Sequence, residues 1–147
     1  MREILFKAKR EDNGEWVEGF YVNAKEEYGH GVRVAEIITI DAEQICSGQY
    51  SHMDSFPVEK ETLCQYTGLT DKNGNKIWEN DVVFVTDDNG CSGQVDTGIG
   101  EIDFLEGLWY ISGSVQNALY DINKCFQIEV IGNIFDNPEL LSKTEFK

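Results

Sequence analysis

Apolar and polar positions along this chain are arranged as short β-strands separated by turns. Apolar, β-branched and aromatic residues concentrate in Arg2–Ala8, Glu15–Val22, Val32–Ile40, Leu63–Tyr66, Lys76–Trp78, Asp81–Thr86, Gly98–Leu105, Leu108–Ile111 and Phe126–Phe135. None of these stretches sustains the i, i+3, i+4, i+7 stripe of an amphipathic helix over three turns. Glu15–Val22 shows the alternation of a strand with two unlike faces. Trp16, Glu18, Phe20 and Val22 share one side, and Val17, Gly19 and Tyr21 the other. Glu18 interrupts the first face, which predicts partial exposure.

Turn chemistry predicts the connections. Asp12-Asn13-Gly14 joins the first two strands, and Asn-Gly suits the positive φ angles of a type I′ hairpin. Asp71-Lys72-Asn73-Gly74-Asn75 offers the same chemistry before Lys76–Trp78, and Glu106-Gly107 separates two further strands at hairpin distance. Gly98-Ile99-Gly100 lies inside a strand pattern, where paired glycines predict a bulge. Asn137-Pro138-Glu139-Leu140-Leu141 reads as a short helix with Asn137 as its cap and Pro138 in its first turn. Asp41–Lys60, with Ser47, Gly48, Ser51, Ser55 and Pro57, reads as a long irregular loop.

Composition narrows the class. A chain of 147 residues, 41% hydrophobic, makes one ordinary domain with a core of its own. Lys plus Arg number 12 and Asp plus Glu 27, a net charge of −15. So acidic a chain is poorly suited to gripping a nucleic-acid backbone, where affinity comes from cationic contacts that release counterions. Its aromatic content of 12% exceeds that of a disordered acidic tail. No apolar run approaches the roughly 20 residues of a membrane span, and the opening lacks the apolar stretch of a signal peptide. A cytoplasmic location is expected.

Charge is segregated along the chain. Arg2, Lys7, Lys9 and Arg10 lie in the opening, whereas no basic residue occurs between Lys76 and Lys124. That interval carries Asp87, Asp88, Asp96, Glu101, Asp103 and Glu106, either a solvated face or a surface that selects a basic partner.

Chemical motifs are scarce. Cys46, Cys64, Cys91 and Cys125 contain no C-x-x-C pair, and His30 and His52 do not complete a zinc set. Four buried thiols are the expectation. No phosphate-cradling G-x-x-x-x-G-K-[ST] occurs, and the calcium-loop pattern fails around both Gly74 and Gly90. Neither histidine is spaced to activate a Ser or Cys nucleophile. No catalytic, cofactor-binding or metal residue is expected, and no cofactor.

The run Cys64-Gln65-Tyr66-Thr67-Gly68-Leu69-Thr70-Asp71-Lys72-Asn73-Gly74-Asn75-Lys76-Ile77-Trp78-Glu79-Asn80-Asp81-Val82-Val83 resembles the YopX family of phage and prophage proteins. The opening Met1–Ala8, the block Trp16–Tyr21 and the closing Ile128–Leu141 are similar to it as well. At Asn80 the family usually carries Gly, and Asn also tolerates a left-handed backbone. The resemblance implies a mostly β fold with an SH3-like barrel and a phage or prophage origin, and it implies no activity. The expected layout is a single all-β domain over 1–147. An N-terminal β-hairpin subdomain with its irregular loop fills 1–60, the SH3-like barrel 61–136, and a short C-terminal helix and tail 137–147. Val83, Val85, Ile102, Phe104, Trp109, Ile128 and Val130 are expected to fill the barrel.

Three functions follow as expectations. The first is a non-enzymatic interaction protein of the bacterial cytoplasm that associates with itself through Arg2, Lys7, Lys9, Trp16, Phe20 and Tyr21. The second is an acidic inhibitor that imitates a phosphate backbone and occupies a host nucleic-acid-binding protein. The third is a small hydrolase or a protein that sequesters a small ligand, which needs an enclosed polar pocket.

Overall fold

The computed structural model describes residues 3–25, 33–39, 54–86, 97–121 and 126–142. The chain is mostly β and divides into two compact units, Met1–Gln65 and Tyr66–Lys147.

In the first unit, β1 (Phe6–Lys9), β2 (Trp16–Lys25), β3 (Arg33–Thr39) and β4 (Asp54–Pro57) form antiparallel ladders in the order β4-β3-β2-β1. The start of β5 (Cys64–Thr70) pairs with the free side of β1 through Phe6–Gln65 and Lys7–Cys64. Alternation on β2 places Val17 and Tyr21 inward, where they pack with Phe6 and Leu63 around buried Ala8 and Val58. β4 lies within the stretch expected to be loop, as do Val58, which is buried and bridges Arg10, and Lys60, which opens a 3-10 turn, while residues 41–53 fall outside the described residues. Ser and Pro read as loop formers, yet Pro57 is tolerated because β4 is an edge strand. A 3-10 turn at Lys60–Thr62 leads into β5, and Thr62 Oγ1 accepts the Lys9 N–H at 2.8 Å while donating to the Glu59 carbonyl at 2.7 Å.

Only Gly14 of the first hairpin turn has a positive φ, 71°. Asn13 does not, so the expected two-residue type I′ turn is replaced by a longer loop. Arg10 N–H bonds the Glu15 carbonyl and Gly14 N–H the Arg10 carbonyl, with the left-handed residue last.

In the second unit, β5 continues and pairs with β6 (Lys76–Trp78). A five-stranded antiparallel sheet follows in the order β10-β9-β8-β7-β11. Its members are β7 (Asp81–Thr86), β8 (Gly98–Leu105), β9 (Leu108–Gly113), β10 (Asn117–Ala118) and β11 (Gln127–Asn133). Ile77, Val83, Val85, Ile102, Ile111, Val115, Leu119 and Ile128 are buried together, with Trp109 and Val130 packed against them. Among the described residues the ladder runs from β10 at one end to β11 at the other.

Two buried aspartates hold the turns of this unit. Asp71 Oδ1 accepts the N–H groups of Asn73 and Asn75, each at 2.9 Å, and Oδ2 accepts Asn75 Nδ2 at 3.3 Å and the Val130 N–H at 3.1 Å. The β5–β6 turn is thereby tied to β11. Asp81 Oδ2 accepts the Trp78 N–H at 2.8 Å across the β6–β7 turn, where Asn80 takes the left-handed φ of 65° expected of it.

β8 runs in regular register with β7 from Gly98 to Glu101, so the bulge expected there is absent. Register shifts occur instead in β11, between Val130 and Gly132, and in β5, between Tyr66 and Thr70. Gly100 serves close packing instead: a Cβ there would collide with the Ile111 side chain on β9. The closing helix α1 (Glu139–Ser142) follows Pro138 directly. Asn137 does not cap it forward, because its Oδ1 points back to the Asn133 N–H at 3.4 Å.

Candidate functional site

Cross-strand register builds one face in the first unit. Lys7 lies opposite Glu18 and Lys9 opposite Trp16, so these four side chains project to the side of the sheet away from Ala8 and Val17. The Lys7 and Lys9 ammonium groups sit 4.8 and 5.5 Å from the Trp16 ring centroid, a cation–π arrangement. Further along β2, alternation adds Phe20, 49% exposed, and Val22, 37% exposed. The result is a face of Trp16, Phe20 and Val22, interrupted by Glu18, with Lys7 and Lys9 at its Trp16 end.

Tyr21, expected in this surface, belongs to the opposite side. It packs against the small core, 5.9 Å from the Phe6 ring, and its buried hydroxyl makes no hydrogen bond. Adjacent strand residues point to opposite faces, so Phe20 and Tyr21 cannot share one. Arg2 lies outside the described residues.

A second surface lies at the tip of the β8–β9 hairpin. Leu105 pairs with Leu108 across the two-residue turn Glu106-Gly107, whose φ angles of 50° and 85° are those of a type I′ turn. Phe104 was expected inside the barrel but is 52% exposed. It is on the inward phase of β8, yet the hairpin runs past the end of the core, and the Phe104 ring packs tilted against Trp109, centroids 4.9 Å apart. Leu105 and Leu108, on the outward phase, are 48% and 59% exposed. The tip is therefore apolar on both sides. Its sequence signal is the run Phe104-Leu105-Glu106-Gly107-Leu108-Trp109, apolar in both phases of the alternation right up to the turn.

Carboxylates rim this tip. Glu101 and Asp103 occupy successive outward positions of β8, and Glu106 stands in the turn. Burial pushes the Glu101 carboxyl above its ordinary range, and the neighbouring Asp103 charge adds to the effect. Asp87, Asp88 and Asp96, the other members of the expected acidic surface, lie outside the described residues.

Cys64 is buried and reduced, its thiol directed at the Thr62 carbonyl at 3.2 Å. Cys46, Cys91, Cys125, His30 and His52 lie outside the described residues. Among the described residues, no three His, Cys, Asp or Glu side chains are grouped to hold a metal ion, and no helix is long and apolar enough to cross a membrane.

No curated protein matches this chain. Among solved structures, protein EF1440 from Enterococcus faecalis is similar at 22% identity and a TM-score of 0.52, over 96% of this chain and 99% of that one. At that identity the likeness speaks for the fold alone. The family model described as YopX protein matches residues 5–142, a span that takes in both units, and the chain belongs to the YopX family.

Proposed function

We propose that this protein is a non-enzymatic interaction protein, of phage or prophage origin and acting in the bacterial cytoplasm, that associates with itself. The observation that carries this reading is the exposure of large apolar side chains on ordered strands, in a chain of net charge −15. Scattered exposed apolar residues are ordinary, but contiguous ones rimmed by charge mark binding surfaces. Phe20 and Val22 continue the Lys7–Lys9–Trp16 strip, and Phe104, Leu105 and Leu108 share one hairpin tip.

An acidic inhibitor that imitates a phosphate backbone draws less support. A mimic of that kind needs carboxylates in series, whereas exposed Phe104 and Leu105 separate Asp103 from Glu106.

Sedimentation velocity over a wide concentration range tests the proposal. Mass should rise above that of one chain as concentration rises, and more so at low salt. A single chain at every concentration and salt removes self-association.

A further inference from the structure

We propose that the β8–β9 hairpin tip of one copy docks on the Lys7–Lys9–Trp16–Phe20 face of a second copy. This rests on the self-association proposed above and says which surfaces meet. Both surfaces are apolar at their centres. Phe104, Leu105 and Leu108 form the first, and Trp16, Phe20 and Val22 the second.

Charge decides the pairing. Two tips brought together would oppose Glu101, Asp103 and Glu106 to their own copies, and like charges facing each other at a contact are penalised. The β1–β2 face carries two ammonium groups, Lys7 and Lys9, against one carboxylate, Glu18, so tip against face sets the tip's carboxylates near a net positive charge while the apolar centres meet. The partners are different patches. The contact either forms twice across a twofold axis in a closed dimer or, running head to tail, closes a ring or continues as a filament.

The contact is small. Phe104, Leu105 and Leu108 together expose roughly 300 Å², below the ~800 Å² per partner of a standard stable interface. Association is therefore expected to be weak, concentration-dependent and sensitive to salt.

A mixing experiment tests the pairing with full-length chains. The double substitution Leu105→Ser and Leu108→Ser removes the tip, and Phe20→Ser removes the face. All three positions are exposed, so both variants should keep the wild-type far-ultraviolet spectrum and melting profile. Each variant alone should self-associate at least roughly tenfold more weakly than wild type. Mixed in equal amounts, they should form a one-to-one heterodimer, since one supplies an intact face and the other an intact tip. Raising the salt to about 0.5 M should weaken that heterodimer.

A tip variant that associates like wild type overturns the inference and leaves self-association standing. Two monomeric variants that fail to pair on mixing overturn it also, and so does a face variant that associates like wild type, which shows tip against tip. A wild-type chain that stays single at all concentrations removes both proposals. A single chain whose tip binds a Lys- and Leu-rich peptide assigns the tip to a foreign partner, again against the inference.

Discussion

Glu106 is an exposed residue with a φ of 50°, and it stands in the first central position of the turn that ends the hairpin tip. A left-handed backbone brings the Cβ of an L-residue against the following carbonyl, at roughly 1–2 kcal/mol. Asn tolerates this region better, because its short polar side chain bonds the local backbone. Glu106→Asn should therefore stabilise the protein by about 1 kcal/mol. For a chain of 147 residues, that is a rise of about 3 °C in melting temperature. Glu106→Gly relieves the same strain but adds roughly 0.5–1 kcal/mol of chain entropy, so its net gain is about 0.5–1 kcal/mol. Glu106→Ala keeps the Cβ and relieves nothing. It removes the same negative charge as Asn, so the difference between the two variants isolates the backbone effect from electrostatics. Urea unfolding at pH 7 measures all three. Equal stability of the Asn and Ala variants, or a loss with Asn, refutes the strain argument.

Three further outcomes follow from particular groups. Asp71→Asn should cost about 3 kcal/mol in urea unfolding, because one amide oxygen replaces two carboxylate oxygens that serve four donors. Burial alone would raise the Asp71 pKa, but the hydrogen bonds, that of the Val130 N–H foremost, outweigh it and hold the carboxyl below 3.8. Its contribution is therefore present above that unfolded value and lost as pH falls through the lowered folded one, a loss the Asn variant should not show in thermal melts from pH 6 to pH 2. Tyr21→Phe removes a buried hydroxyl with no partner and should leave the melting temperature unchanged or higher, since such a group carries an uncompensated desolvation cost of about 1–3 kcal/mol. Gly100→Ala should destabilise by about 1–3 kcal/mol, because the added methyl overpacks the cross-strand contact with Ile111, and differential scanning calorimetry reads the fall.

How far the sequence revealed the molecule differs from element to element. β6 is predicted to the residue, and β7 and β8 likewise, because Asp81–Thr86 is an apolar run and Gly98–Leu105 alternates Glu101 and Asp103 with apolar neighbours, each closed by turn formers. The strand β4 escapes, since Asp54, Ser55 and Pro57 read as turn formers and leave its four residues without an alternating apolar signal. Turn positions are legible but turn types less so: Asn13-Gly14 suits type I′, yet Glu106-Gly107, the poorer match by residue preference, adopts it. On the surface, alternation alone separates Phe20 from Tyr21. Knowing that Phe104 leaves the core requires knowing where the core stops, a property of packing between strands far apart in sequence.

Zero-length carbodiimide coupling of a mixture of ¹⁴N- and ¹⁵N-labelled protein tests the central claim most directly, because it joins only an amine and a carboxylate in contact. The account predicts mixed-isotope peptides linking Lys7 or Lys9 to Glu101, Asp103 or Glu106, and their loss at high salt. Peptides of a single isotope throughout, at concentrations where the tip and face are both intact, would contradict it.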